Sequence, residues 1–412
     1  MFRKIKDSAT FFSMPLKNDL WDIVDYTNKL FDFALETNAS DIHVEPTKGF
    51  ITIRFRQSGD FLFVDKISHE EYAKLLSRMK ILANMRIDEK HKPQDGKISF
   101  TSEKIGNELV DIRVSVMPIV AGEKIVMRML RQNADMLNLE KLDFLDVNLE
   151  KIKVSLASKY GMILVAGPTG SGKSTTLFSA LRSFDPLDYN ITTLEDPVEY
   201  NIAHVNQTQV KPQIGFDFAS GLRALVRQDP DIIMVGEIRD KETATLAIEA
   251  ALTGHLVLST IHTNSAAGTI QRLINMNIEP FLISSALKMV ISQRLVKKLC
   301  PHCSTTYKVT DPTIQAKITG YLSNVIEDDV ADIDFYKAVG CEKCDMSGYA
   351  WRMGVHEVLV ISEALDHLIL SKAPVHEIEQ KARELGMITI IQDGLIKAAT
   401  WKTTVEEVMK LI

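Results

Sequence analysis

Eight residues carry the plainest chemistry in this chain: Gly167, Pro168, Thr169, Gly170, Ser171, Gly172, Lys173 and Ser174, followed by Thr175. They fit the spacing G-x-x-x-x-G-K-[ST]. Glycines let a loop turn its backbone N–H groups inward toward an anion. A lysine at the seventh place reaches β- and γ-phosphates, and the hydroxyl after it holds Mg²⁺. Met162–Ala166 before the loop is apolar and reads as a buried strand, and "STTLFSAL" after it reads as a helix. Strand, loop and helix in that order are the context the motif needs, and the helix N-terminus adds positive potential. Residues 167–175 are therefore expected to bind ATP, with Mg²⁺ at Ser174.

Acids follow at two later strand ends. "TTLEDPVEY" supplies Glu195, Asp196 and Glu199, and "DIIMVGEIRD" supplies Glu237 and Asp240. In a parallel sheet the carboxyl ends of strands face the ligand crevice. A hydrolase needs one carboxylate to order Mg²⁺ and another to orient or deprotonate water. Glu195 and Glu237 are the candidates, and the spacing leaves the division of labour between them open. "GHLVLSTIHTN" places His255 at the start of an apolar strand and His262 at its end. His262 is positioned to touch a γ-phosphate and report its loss.

All four cysteines lie close together, as Cys300-Pro-His-Cys303 and Cys341-Glu-Lys-Cys344. Each C-x₂-C can set two thiolates on one tetrahedral ion, so a closed, structural zinc site is expected. Residues 304–340 make a longer gap than zinc ribbons usually have. An inserted helix, "TIQAKITGYL", would fill it. His302 is not needed as a ligand.

The elements that hold these residues change character along the chain. Residues 1–20 read as an N-terminal arm. Residues 21–37 have helical apolar spacing. "ITIRFRQSGDFLFV" alternates around Gly59–Asp60 like a hairpin, "EEYAKLLSRMKILANM" reads as a helix, and "GKISF", "ELVDIRVSVMPI" and "EKIVMRML" read as strands. This is an α+β domain over 21–130, followed by a linker at 131–145. From 146 to 298, apolar strands alternate with helical stretches, which argues for a parallel sheet covered on both faces. The cysteine module occupies 299–352 and a helical region 353–412. A net charge of −6 gives no global basis for nucleic-acid binding. No apolar run reaches the ~18–20 residues of a membrane span. The expected location is cytoplasmic.

Several segments together resemble the secretion ATPases that drive type II secretion and type IV pilus assembly. "ASDIHVEP", "KPQDGKIS", "DIRVSVMP" and "GEKIVMRML" look like that family's N-terminal-domain motifs. "GPTGSGKSTTL", "LEDPVEY", "GLRALVRQDPDIIMVGEIRD" and "TGHLVLSTIHTN" look like its phosphate loop, aspartate box, second nucleotide motif and histidine box. The resemblance implies an α/β, RecA-like P-loop NTPase core with a PAS-like N-terminal α+β domain, assembled as a homohexamer. It implies that Arg113 and Arg128 compensate charge at the γ-phosphate and that Arg223, Arg227 and Arg239 bridge subunits or support the site. By the same likeness Glu195 positions water, Glu237 belongs to the Mg²⁺ shell, and the cysteine module points to the assembly type of motor. The implied partners are a polytopic inner-membrane platform protein and a cytoplasmic, membrane-associated recruiting protein. The implied location is peripheral on the inner membrane. Only residues 1–20 precede the first helical segment, where many relatives carry a further domain, so recruitment is expected to use that arm or the platform alone. A nucleic-acid translocase is the competing reading, and the charge balance and lack of a basic stripe interleaved with aromatics oppose it.

Overall fold

The computed structural model describes residues 22–412 except 58, 103, 105, 107, 132–136, 324 and 326–328. The expected arm at 1–20 lies outside the described residues, as does part of the expected linker. The chain divides into two compact units, Met1–Asn133 and Ala134–Ile412.

In the first unit, α1 (Ile23–Glu36) precedes β1 (Asp41–Pro46), β2 (Ile51–Gln57) and β3 (Asp60–Ile67). Then come α2 (His69–Leu82), β4 (Gln94–Ser102), β5 (Glu108–Ile119) and β6 (Gly122–Arg131). The six strands form one antiparallel sheet in the order β3-β2-β1-β6-β5-β4. Successive strand residues point to opposite faces. Ile42, Val44, Ile53, Phe55, Ile112, Val114, Ile125 and Met127 therefore form one apolar face, packed with Leu30, Phe31 and Leu35 of α1 and Leu75 and Met79 of α2. The alternate positions, among them Asp41, His43, Arg54, Arg113 and Arg128, make the opposite face. β1 came from "DIHVEP", whose acids and histidine hide a strand with one apolar side.

The second unit opens with α3 (Asp146–Leu156), β7 (Gly161–Ala166), α4 (Lys173–Leu181), β8 (Ile191–Glu195) and β9 (Asn206–Gln209). It continues through α5 (Phe218–Leu225), β10 (Ile232–Val235), α6 (Lys241–Leu252), β11 (Leu256–Ile261), α7 (Ala266–Asn275), α8 (Pro280–Ala286) and β12 (Leu287–Leu299). Next are β13 (Ser304–Tyr307), α9 (Pro312–Leu322), β14 (Phe335–Ala338) and β15 (Tyr349–Val360). The chain ends with α10 (Glu363–Leu370), α11 (Val375–Glu384), α12 (Ile390–Ala399) and α13 (Val405–Met409). The main sheet runs β15-β12-β7-β11-β10-β8-β9, parallel except for β15. One face packs on α3 and α4, through Ile152, Leu177 and Phe178. The other packs on α5 to α8, α10 and α11, through Leu222, Ala247, Ile270, Ile283, Leu365 and Ile378. Strands buried on both faces read as continuous apolar runs, which is why β7, β10 and β11 stood out in the sequence.

Two differences from the sequence reading matter. β12 was passed over because "LKMVISQRLVKKL" mixes an apolar start with a basic end. β15 begins inside the expected cysteine module and ends inside the expected helical tail, so the line drawn between 352 and 353 falls within a strand of the main sheet. The tail beyond it is helical. Its α12 and α13 share a core with α9 and β14, through Leu395, Val408, Ile318 and Phe335.

Candidate functional site: a phosphate loop at the strand ends

Gly172 caps α4 at φ +87°, a left-handed conformation that favours glycine, and α4 has no side-chain cap. Its first N–H groups therefore have no intrahelical partner and suit an anion. A Cβ on Gly172 would lie 2.8 Å from Gln293 Nε2, and one on Gly167 would lie 2.6 Å from the Gln293 carbonyl. The loop is thus pressed against β12. Gln293 also accepts a hydrogen bond from Thr176 Oγ1 at 2.6 Å. Lys173 Nζ donates to the Pro168 carbonyl at 3.0 Å, which keeps the ammonium over the loop. Burial lowers the Lys173 pKa, the nearby Glu237 charge raises it, and the nearby Arg294 charge lowers it further.

Glu195 ends β8 and is 2% exposed. Oε1 accepts from Thr193 Oγ1 at 2.5 Å and Gln207 Nε2 at 3.0 Å, and Oε2 faces the Glu199 N–H at 3.4 Å. Burial raises its pKa despite these bonds, which makes it a better base than a free carboxylate. Neither Thr193 nor Gln207 was singled out from the sequence. Thr193 lies two residues before Glu195 on the same strand face, a spacing that could have suggested it.

Glu237 lies just past β10. A Cβ on Gly236 would come 3.3 Å from the Leu194 carbonyl and 3.4 Å from the Glu195 Cα, so the two strand ends lie close together here. The Gly236 N–H donates to the Leu194 carbonyl at 2.8 Å, and Thr260 Oγ1 donates to the Gly236 carbonyl at 2.8 Å. Glu237 is then turned toward His262, whose Nε2 is 3.4 Å from Oε2, while Arg239 pairs with Oε1. Lys173, Ser174, Glu195, Asp196, Glu199, Glu237 and His262 line one cleft of about 140 Å³. A cavity of about 660 Å³ lies at the other end of α4, lined by Leu137–Lys141 and Arg182–Phe184. It is farther from the phosphate loop and has no glycine-rich backbone to hold phosphate.

Other charged residues of these motifs make local contacts. Asp240 caps α6, accepting from the Thr243 N–H at 2.8 Å. His255 sits at the far end of β11, its Nδ1 2.9 Å from the Ala250 carbonyl. Arg223 pairs with Glu242, and Arg227 donates to the Arg223 carbonyl. Arg113 and Arg128 belong to the first unit, where they stand directly opposite each other on β5 and β6. Arg128 Nε is 3.0 Å from Asp41 Oδ1.

The cysteines converge at the end of β12. Sγ–Sγ distances are 3.9 Å for Cys300–Cys341 and 3.7 Å for both Cys303–Cys344 and Cys341–Cys344. All four sulfurs lie within 4.8 Å of one another. A tetrahedron of thiolates ~2.3 Å from zinc has edges of about 3.8 Å, so the residues fit that ion. Cys344 Sγ accepts from the backbone N–H of Cys341 and Gly348, each at 3.2 Å. Burial opposes ionisation of Cys344, but these two bonds, together with those from the Cys303 and Cys341 thiols, bring its thiol down to about 6. α9 fills the gap between the pairs, as its sequence suggested.

A phosphate loop after β7 of a parallel sheet, with acids at the ends of two further strands of that sheet, defines a P-loop ATPase. The sequence profile of the family described as "Type II/IV secretion system protein" matches residues 17–410, and the chain belongs to that family. It is similar to the type II secretion system ATPase E of Vibrio cholerae, 44% identical over 98% of this chain and 80% of that one. It is also similar to the type IV pilus assembly ATPase PilB of Myxococcus xanthus, 44% identical over 94% of this chain and 67% of that one. Among solved structures, the Legionella pneumophila ATPase DotB superposes with a TM-score of 0.69 at 22% identity, covering 97% of this chain and 98% of that one. The pilus retraction motor PilT with bound ADP superposes with a TM-score of 0.62 at 28% identity, covering 93% and 96%.

Proposed function

We propose that this ATPase is a homohexameric motor that powers assembly of a type IV pilus, a type II secretion pseudopilus or a related DNA-uptake fibre. In this reading it works on the cytoplasmic side of the inner membrane, against a polytopic platform protein, with a membrane-associated recruiting protein as a further partner. Among the described residues no helix is long and apolar enough to cross a membrane, so attachment would come through such partners. The convergence of Lys173, Glu195, Glu237 and His262 on one cleft carries the reading.

The loop N–H groups of residues 167–175 and Lys173 bind the phosphates of ATP. Ser174 and Glu237 would hold Mg²⁺, since a hydroxyl and a carboxylate are the hard oxygen donors that ion takes, and the ion would neutralise charge on the phosphates. Glu195, buried and with its pKa raised, takes the proton of the attacking water. His262, beside Glu237, reads the state of the γ-phosphate. Arg113 and Arg128 compensate charge on that phosphate. The linker at 131–145 transmits its loss as a swing of the N-terminal domain. Cys300, Cys303, Cys341 and Cys344 would hold zinc as a structural centre.

The test is turnover and nucleotide binding by purified full-length chain. Glu195→Gln and Glu237→Gln should each bind ATP and lose hydrolysis by ~10²–10⁴-fold, the usual worth of acid–base assistance. Wild-type turnover in either variant would remove that residue from the mechanism. Added DNA should leave the rate unchanged, and stimulation by DNA would favour a translocase.

A further inference from the structure

The strand that joins the phosphate loop to the cysteine module carries a cation that no role above uses. β12 runs parallel to β7 with Ser292 opposite Ala166. Gln293 and Arg294 therefore come level with the start of the phosphate loop. Alternate strand positions point to opposite faces, and these two side chains diverge accordingly. Gln293 turns toward α4 and Thr176. Arg294 turns toward the segment that follows β11. Its Nη2 donates to Asn264 O at 2.9 Å and Asn264 Oδ1 at 3.2 Å, and its Nη1 donates to the Gln293 carbonyl at 3.0 Å. That carbonyl is the one against which Gly167 packs. Asn264 lies two residues past His262.

Every one of these acceptors is neutral. Among the described residues no carboxylate comes within ion-pair distance of Arg294. The acid whose charge it feels, Glu357, is buried and accepts the Ala266 N–H at 2.7 Å. Burial pushes that carboxyl up to about 7, so near neutral pH much of it is uncharged. Arg294 is half-buried, and burial lowers its own pKa. Desolvating a guanidinium without a counter-charge is costly. Its field also bears on Lys173, whose ammonium lies over the phosphate loop. An anion between them would relieve both.

We propose that Arg294 is a second phosphate-binding cation of the ATPase site, anchored by Asn264 and the Gln293 carbonyl and engaging the terminal phosphate of ATP in the same chain as Lys173. The planar guanidinium can give that phosphate two parallel hydrogen bonds, which a lysine cannot. Asn264 sits between His262 and Ser265, which caps α7. The same guanidinium thus ties the terminal phosphate to the start of α7. The inference rests on residues 167–175 being the nucleotide site.

The experiment compares wild type, Arg294→Gln, Arg294→Lys and Lys173→Ala as full chains. It measures affinity for β,γ-imido-ATP and for ADP, kcat and KM for ATP, and the thermal midpoint. Arg294→Gln should weaken triphosphate binding about 10- to 100-fold, the worth of a charge-assisted hydrogen bond. ADP affinity should stay within about twofold and the midpoint should hold, because a half-exposed side chain bound to neutral carbonyls is not a packing keystone. Arg294→Lys should recover part of the loss. Equal weakening of both nucleotides, or unchanged affinity for both, overturns the proposal. If Arg294→Gln fails to fold, Arg294→Lys keeps the charge and loses the planar fork, and should give a smaller loss confined to the triphosphate. An Arg294→Lys variant with both affinities intact then overturns the proposal as well. Undiminished nucleotide binding by Lys173→Ala would sink the site itself, whereas a normal Lys173 effect beside a silent Arg294→Gln sinks only the role of Arg294.

Discussion

The two units build sheets of similar width and use them in opposite ways. The sheet of the first unit is antiparallel and helix-covered on one face, so its charged residues lie across the other face. The sheet of the second unit is parallel except for β15 and covered on both faces, and its two candidate acids, Glu195 and Glu237, lie at strand ends. In the first, a residue's neighbours in sequence belong to different worlds: Ile112 is fully buried, while Arg113 stands opposite Arg128. Like charges directly opposed across strands destabilise a sheet by up to about 1 kcal/mol. Asp41, 3.0 Å from Arg128, supplies counter-charge on that face. In the second, position along the strand decides everything: Met234 and Val235 are core, Gly236 is a spacer, and Glu237 is chemistry.

Breaking the charged face should give the largest effect. Arg113→Ala and Arg128→Ala are each expected to lower kcat by ~10³-fold, the low end for arginines that stabilise phosphoryl transfer. Turnover by single mutants in the assembled protein checks this, and a rate within threefold of wild type would return the pair to surface charge. Ile112→Ala, one residue away and on the other face, should instead cost ~2–5 kcal/mol of stability, read from denaturant unfolding. In the second unit, Cys341→Ser combined with Cys344→Ser should abolish a stoichiometric zinc and lower the thermal midpoint. Metal analysis of freshly purified wild type showing no zinc would remove the centre.

A subtler probe is pH. The raised pKa of Glu195 means its base form is lost on acidification earlier than for an ordinary carboxylate. The acid limb of kcat should therefore titrate above 4.5, the ordinary glutamate value, and a limb at or below it would deny Glu195 the role of base. The smallest effect is reserved for an acid in the same motif as Glu237. Asp240→Ala should cost ~1 kcal/mol for a lost helix cap and leave turnover within about twofold. A larger loss of activity would show that Asp240 reaches the chemistry after all.

Much of the site was legible because local spacing encodes it. The phosphate loop needs its glycines and lysine consecutively, and the acids follow apolar runs that announce buried strands. The two C-x₂-C pairs were legible for the same reason, although their gap was unusual. The partners of these groups were not. Gln207 reaches Glu195 from β9, and Gln293 braces the loop from β12, a strand more than a hundred residues later. Nothing in the local pattern of "MVISQRLVKK" says which strand it will lie beside. β1 and β15 were hidden similarly, the first by polar residues on its open face and the second by a module boundary placed through it.

Local spacing set out the chemistry on offer: a loop for phosphates, two strand-end acids and two pairs of thiolates, while the roles of Arg113 and Arg128 came from the family resemblance. Each depends on residue types a few positions apart, and backbone geometry at that range is nearly dictated by composition. The folded chain alone shows which acid is buried and which caps a helix, that Arg113 and Arg128 face each other, and that Arg294 has only neutral hydrogen-bond partners. Those outcomes depend on sheet order and register. Pairings between distant strands are chosen by the summed burial of both faces, which no single segment encodes.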